Sequence, residues 1–348
     1  MSDQDEAGPL GPVAALREIG FLLERSRSDT FRVKAYRGAA DAIEAMTQEQ
    51  RTHHQAARSW NTVSGVGPKT ATVIGQAMAG EVPAYLQQLR DGREPLTEGG
   101  SRMRAAVRGD LHVHSTWSDG GSPLAEMMTT ARDLGHEYCA ITDHSPRLKV
   151  ARGLSAERLR EQIEVTRELG AQLAPFRVLQ GIEVDILEDG GLDQTDALLA
   201  ELDVVVASVH SKLRSDSETM THRMVGAIAN PRTNVLGHCT GRLIEGERGT
   251  RPPSVFDPEV VFEACRTFDV ALEINSRPER RDPPDELLQL AIDMGCLFSI
   301  DTDAHAPGQL EFLAYGCARA EDLGLDPDRV VNTWPVERLL EWCGSGAL

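Results

Sequence analysis

Residues 109–120, GDLHVHSTWSDG, decide how the rest of the chain is read. From Asp110 to His114 polar and apolar residues alternate with the period of a strand, and Asp119 follows His114 by five positions. Imidazoles and a carboxylate are costly where a strand meets a core, unless each is hydrogen-bonded, paired or bound to a cation. An HxH pair alone is weak evidence, because a hydrogen-bonded core histidine accounts for it equally well. Recurrence elsewhere in the chain is what separates the two readings.

The pattern recurs. Beyond residue 108 short apolar runs, DLHVHS, YCAITDH, RVLQGIEVDIL, LDVVVASVH, TNVLGHC, ALEINS and LFSIDTDAH, alternate with amphipathic stretches such as 123–134 and 155–169. A further helix is expected after Asp257-Pro258-Glu259, where an N-cap precedes proline at the first helical position. Seven strands alternating with helices predict an α/β fold whose parallel sheet closes into a barrel. Six of the seven runs carry a polar cluster at or near the C-terminal end: His112 and His114 with Asp119 after them, His144, Glu183, His210, His238, and Asp303 with His305. In α/β barrels those ends converge on one cavity. Three carboxylates and six imidazoles there demand compensating cations. Nine donors exceed one ion's capacity, so two or three divalent ions are expected. Imidazole and carboxylate without thiolate suit Mn, Zn or Fe alike. Clustered ions of that kind serve phosphoester hydrolysis.

The first part of the chain is different. VAALREIGFLLERS (13–26) and AYRGAADAIEAM (35–46) have helical spacing, and residues 1–90 read as a small all-α domain. Residues 91–108 gather Gly, Pro and charge and are expected to be a linker, leaving 109–348 as the barrel domain. The net charge of −18 is unevenly spread: residues 1–108 hold 14 Lys+Arg against 13 Asp+Glu, and residues 109–348 hold 22 against 41. The acidic excess therefore belongs to the barrel alone. No apolar run approaches the ~20 residues that span a bilayer, so no membrane partner is expected. The opening MSDQDEAGPLGP lacks the basic-then-apolar layout of a secretory signal, and the six cysteines form no CxxC pair. The expectation is a cytoplasmic protein with reduced, mostly buried thiols.

Residues 109–348 resemble the PHP (polymerase and histidinol phosphatase) superfamily, specifically the C-terminal PHP domain of bacterial family X DNA polymerases, through SVHSKL, GHCTGRL, LEINSRPERRD, IDTDAHAPGQL and VVNTWPVERLLEW. The resemblance implies a distorted (β/α)7 barrel with a trinuclear metal site. It places His112, His114, Asp119, His144, Glu183, His210, His238, Asp303 and His305 at the family's nine ligand positions. DTFRVKAYRGAADAIEAM and VSGVGPKTATVIGQAMAG similarly resemble the helical N-terminal domain of these polymerases, related to the DNA-end-binding domain of DNA polymerase beta. The second segment reads as a helix-hairpin-helix. Gly65 and Gly67 allow a tight turn before a helix start that can meet a phosphate, with Lys69 beside it. Arg32, Lys34 and Arg37 complete the expected DNA contacts.

The departures are as informative. The palm and fingers that separate these regions in the polymerases are replaced by about twenty residues of linker, so nucleotide polymerisation is not expected. Val73 occupies the position of the polymerase beta Schiff-base lysine, and a valine cannot be that nucleophile. Arg242, Lys212 and Arg277 follow strand ends and are candidates to face a substrate phosphate; Asp143 is a candidate to orient His144. His53, His54, His136 and His222 match no ligand position and are expected to face solvent. The leading expectation is a metal-dependent phosphoesterase acting on DNA ends or lesions, as 3′–5′ exonuclease, 3′-phosphatase or abasic-site endonuclease. A small-molecule phosphatase of the histidinol-phosphatase type and a noncatalytic DNA-end-binding protein are the alternatives. No protein partner is legible.

Overall fold

The computed structural model describes residues 10–246 and 249–345, in two compact units, 1–95 and 96–348. Residues 1–9, on which the reading of the N-terminus partly rests, lie outside the described residues.

The first unit is all helix: α1 (Pro12–Arg25), α2 (Thr30–Glu44), α3 (Gln48–Ala57), α4 (Pro68–Met78) and α5 (Ala84–Asp91). Leu16, Ile19 and Leu23 on one face of α1 meet Ala39, Ala40 and Ile43 of α2 and Ile74 of α4 in a single core cluster. Asp29 starts α2 by accepting the Phe31 N–H at 2.8 Å, and Thr47 and Gln50 form a reciprocal capping box on α3. Gly65 takes a left-handed φ of 84° in the turn before α4, and Pro68 opens that helix.

In the second unit β1 (Gly109–Val113), β2 (Tyr138–Ile141), β3 (Arg177–Asp185), β4 (Val204–Ser208), β5 (Val235–Leu236), β6 (Ala271–Asn275) and β7 (Phe298–Asp301) pair in sequence order, all parallel. The helices α6 (Ser101–Ala106), α7 (Leu124–Asp133), α8 (Ala156–Leu173), α9 (Asp196–Leu199), α10 (Ser217–Ile228), α11 (Pro258–Thr267), α12 (Asp285–Asp293), α13 (Leu313–Asp322) and α14 (Val336–Ser345) accompany them. The expected α/β barrel is therefore present, nearly closed, after an all-helical domain. Its seam is joined by a parallel bridge between Val113 and Ala304, by His114 N–H to Ala304 O at 2.8 Å, and by Leu111 N–H to the Asp301 carboxylate at 2.8 Å. Asp257 caps α11, with Pro258 at its first position.

The stretch expected to be a linker splits. Asp91 ends α5, but residues 101–106 form α6, whose Met103 is buried in the barrel core and whose Met103 N–H reaches Glu321 Oε2 at 2.9 Å. Six residues make too weak a periodic signal to be seen against surrounding Gly and Pro. All six cysteines are free thiols, five of them buried. Among the described residues no helix is long and apolar enough to cross a membrane.

Candidate metal centre

Glu183 is the hub. It projects from β3 at 1% exposure, and five imidazoles surround its carboxylate: His238 Nε2 at 2.8 Å and His210 Nε2 at 3.1 Å from Oε1, His144 Nδ1 at 2.8 Å, His112 Nε2 at 3.3 Å and His114 Nε2 at 3.5 Å from Oε2. Asp303 Oδ1 lies 3.4 Å from His114 Nε2, and Asp119 Oδ1 lies 3.3 Å from His305 Nε2 and 3.5 Å from His144 Nε2. All nine side chains singled out in the sequence thus meet at the C-terminal end of the barrel. Eight of them fall into three overlapping groups whose donor atoms lie within 4.8 Å of one another: His114, Asp119, His144 and His305; His112, His114 and Asp303; His144, Glu183 and His210. His238 joins through Glu183.

His238 Nε2 is hydrogen-bonded to Glu183 Oε1, but the other contacts to the Glu183 carboxylate come close without hydrogen-bond alignment. His112 Nε2, both ring nitrogens of His114, His144 Nδ1, His210 Nε2 and Glu183 Oε2 are buried without a hydrogen-bond partner. Burying that many polar atoms unsatisfied is destabilising by about 1–3 kcal/mol each. Divalent cations would satisfy them, because a cation accepts lone pairs that converge on one point, whereas a hydrogen bond needs a donor aimed at an acceptor. The donor set fits divalent metal ions on that observation.

A second tier of residues orients this ring. Glu273 of β6 accepts from His112 Nδ1 at 2.6 Å, and Asp185 of β3 accepts from His210 Nδ1 at 2.6 Å. Each contact fixes one nitrogen as the protonated one and leaves Nε2 to turn towards Glu183. Asn275 bridges Glu273 and Asp303 through its amide, at 3.2 Å to each, and the buried Arg280 donates to Asp303 Oδ2 at 3.1 Å. Burial alone would raise the Asp303 carboxyl; Arg277 and Arg280 hold it well below its ordinary value. Burial likewise opposes ionisation of Glu183, and His210, His144 and His112 overcome it. His114, buried and facing two other imidazoles, is lowered to about 3 and so is neutral.

None of Glu273, Asp185, Asn275 and Arg280 was singled out in the sequence. Strand periodicity could have found the first three: Asp185 stands two residues beyond Glu183, and Glu273 and Asn275 alternate on β6 in the same inward phase.

Four expectations need correction. Asp143 does not orient His144. Its carboxylate takes the Ser115 N–H at 2.9 Å, both the Ser115 and Ser118 hydroxyls, and Gln162 Nε2 at 2.6 Å, and so shapes the loop that presents Asp119. Arg242 is a strut rather than a phosphate-facing group, its guanidinium donating to the main-chain oxygens of Arg280, at 2.9 Å, and of Arg281. Arg37 is engaged with the buried Glu24 at 2.7 Å, where α1 and α2 pack. His136 does not face solvent: it is 5% exposed, and burial with Arg104 nearby lowers it to about 3. The guanidinium of Arg277, another phosphate-facing candidate, also donates to the Asp303 main-chain oxygen at 3.2 Å. Arg277 lies beside His305 Nδ1 at 3.1 Å, and Lys212 is exposed on the loop after His210.

In the helical unit Arg32 and Lys69 line a cavity of about 410 Å³ with Tyr36, Thr72, Val73, Gln76 and Tyr85. Tyr36 and Tyr85 stack with centroids 5.7 Å apart. Lys34 is exposed and does not line that cavity, and Gly65 and Gly67 form the exposed turn before α4.

Residues 12–82 match the helix-hairpin-helix domain family and residues 110–247 match the PHP domain family. A Bacillus subtilis protein named "DNA polymerase/3'-5' exonuclease PolX" is 40% identical over 226 residues, 65% of this chain, which spans only 39% of that relative's length. A "Probable phosphatase" of Thermoanaerobacter sp. is 27% identical over 239 residues, covering 64% of this chain and 89% of its own. Among solved structures, histidinol phosphate phosphatase from Lactococcus lactis, complexed with zinc, L-histidinol and phosphate, is 18% identical, covers 63% of this chain and 95% of its own, and superposes with a TM-score of 0.45.

Proposed function

We propose that this chain, which joins a helix-hairpin-helix domain to a PHP domain, is a metal-dependent phosphoesterase that hydrolyses phosphoester bonds at DNA ends or lesions. The observation that carries the hydrolytic reading is the buried Glu183 carboxylate inside five imidazoles, each of which has at least one buried ring nitrogen without a hydrogen-bond partner. His112, His114, Asp119, His144, Glu183, His210, His238, Asp303 and His305 would hold two or three ions of Mn, Zn or Fe. Bound ions supply Lewis acidity, activating water and neutralising phosphoryl oxygens. Arg277, with only 11% of its side chain exposed and its guanidinium 3.1 Å from His305 Nδ1, is placed to donate to a phosphate oxygen at the rim. Glu273 and Asp185 keep His112 and His210 in one tautomer and one orientation throughout turnover. Lys212 offers a further cation at the same rim.

The DNA part of the reading is supported by the helix-hairpin-helix match, by Arg32 and Lys69 lining one cavity of the helical unit, and by the 40% identity to the B. subtilis exonuclease-polymerase over 65% of this chain. Val73 is buried in that cavity's wall, so lyase chemistry through a lysine there is not part of the proposal. A cytoplasmic setting, in which the six thiols stay reduced, is. The second reading, a small-molecule phosphatase, is favoured by the acidic barrel and by the phosphatase relative that aligns over 89% of its own length.

One comparison separates them. Metal-free protein is reloaded separately with Mn, Zn or Fe and offered 3′-ended, 3′-phosphorylated and abasic DNA beside histidinol phosphate and a small chromogenic phosphodiester. The proposal expects DNA to be the better substrate, and expects removal of residues 1–90 to weaken DNA hydrolysis while the small diester is still cleaved. Preference for histidinol phosphate, or equal loss on DNA and the small diester, overturns it.

A further inference from the structure

Lysine is nearly absent from this chain. Of its 36 basic residues only Lys34, Lys69, Lys149 and Lys212 are lysines, and the barrel holds just the last two. Both lie on loops that leave the C-terminal ends of strands, a few residues beyond a candidate metal-site histidine. Lys149 follows His144 by five residues, in the loop after β2; Lys212 follows His210 by two, in the loop after β4.

Several arginines nearby are spent on architecture, although Arg147 and Arg214 are exposed beside the two lysines. Arg158 donates to Arg152 O at 2.7 Å, Arg223 to Ser211 O at 2.7 Å, Arg242 to Arg280 O at 2.9 Å and Arg251 to Gly241 O at 2.6 Å. A planar guanidinium suits such fixed carbonyl geometry, whereas an ammonium on a flexible stem is a point charge suited to a partner that varies in position. The two lysine ammonium groups make no hydrogen bond or ion pair among the described residues, and both residues are exposed.

Their backbones are nonetheless fixed. The loop carrying Lys149 leaves at His144 and is tied back by Leu154 N–H to His144 O at 2.7 Å, so both of its feet stand on a metal-site histidine. At its tip Ala151 is buried while Val150 is 92% exposed, an apolar side chain offered to solvent next to a free ammonium. Lys212 holds a left-handed φ of 54°, which a non-glycine side chain adopts at a cost. Its neighbours lock it there: Ser211 O accepts from Arg223, and Leu213 O accepts from Ser254 Oγ at 2.9 Å. Rigid loops that hold uncommitted ammonium groups are arranged for an external anion.

A barrel with 41 acidic and 22 basic residues would repel a long polyanion everywhere except where cations are exposed. We propose that Lys149 and Lys212 hold the phosphodiester backbone of a single DNA strand across the barrel mouth, with Val150 against a sugar or base and the strand's end at the metal cluster. This rests on the DNA reading above and sharpens it. A phosphate monoester fills the metal site alone; a strand extends beyond it and reaches both loops.

The test uses full-length, Mn-loaded protein and a labelled ten-nucleotide single strand, compared with the p-nitrophenyl ester of thymidine 5′-phosphate. The variants are Lys149→Gln, Lys212→Asn (asparagine tolerates the left-handed backbone) and the double variant, with Lys149→Arg/Lys212→Arg as the charge-preserving control. Metal content and melting temperature report that each is folded. Each backbone contact to a single strand contributes about 0.7 to the slope of log binding constant against log salt, which is about fivefold in affinity at 0.1 M. The double variant is expected to lower that slope by about 1.4 and to shrink the KM advantage of the strand over the mononucleotide ester, while the double arginine variant restores both. A slope and KM ratio equal to wild type in the double variant, with DNA still cleaved, overturns the lysine assignment alone. Wild-type protein that neither binds nor cleaves the strand overturns the DNA reading and this inference together.

Discussion

Glu273 is 0% exposed and binds the Nδ1 side of His112 while its other oxygen receives the His238 main-chain N–H at 2.5 Å, so one carboxylate positions two of the nine metal-site residues. Glu273→Gln keeps the shape and one acceptor but removes the charge that makes His112 a strong ligand. We expect metal affinity, measured by competition with a chromogenic chelator, to fall about 10–100-fold with the fold retained. Unchanged affinity would mean that His112 is oriented by packing alone. His136 makes a different point. Burial keeps it neutral in the folded chain down to about pH 3, whereas the unfolded chain protonates it near 6.5. Between those values the unfolded state binds the extra proton, so this residue's contribution is intact above pH 6.5 and is lost as pH falls towards 3. His136→Leu should flatten the decline in unfolding free energy between pH 6.5 and 4 by up to one proton, about 1.4 kcal/mol per pH unit, in urea titrations against wild type. An identical pH dependence would contradict the burial. The clustering of the nine candidates was legible because each lies in or shortly after a strand run. His136 was not, because one histidine between Gly135 and Glu137 carries no periodic signal of burial.

At the scale of elements, β3 bears both Glu183 and Asp185 and is gripped by β2 and β4 on either side. Gly181 makes that grip possible. A Cβ there would come within 2.9 Å of Val204 O and Thr142 Cγ2 and 3.0 Å of Ile141 O. Gly181→Ala must therefore push β3 away from a neighbour, and Glu183 two residues on moves with it. We expect a loss of about 1–3 kcal/mol in denaturant unfolding and fewer ions retained per chain. Wild-type stability together with wild-type metal content would show that the strands yield without cost. The strands themselves were readable from their apolar runs, even β5, which is only two residues long but sits inside TNVLGHC. Helix α6 was not readable, because its fixing contacts, Met103 in the barrel core and the bond to Glu321, come from residues more than two hundred positions away. Arg37 and Arg242 failed for the same reason: a basic residue near a motif looks available until the partner that the fold brings to it, Glu24 or the carbonyls of Arg280 and Arg281, is known.

Across the whole molecule, an acidic barrel buries many carboxyl groups, several of them around the candidate metal site. Asp110, Asp143, Glu183, Asp185, Glu273, Asp301 and Asp303 are each at most 2% exposed. Hydrogen bonds satisfy some of them, as Thr302 does for Asp110 and Ser299 for Asp301. The mouth itself holds the unsatisfied remainder, and the account turns on dications neutralising it. The direct measurement is anomalous diffraction from crystals of the full-length protein equilibrated with manganese or zinc, with the metal content of the same preparation determined by mass spectrometry. The account predicts two or three ions per chain, each within coordination distance of Glu183, Asp119 or Asp303 and the imidazoles around them. A mouth without anomalous signal at saturating metal, its nine side chains turned away from one another, would contradict it.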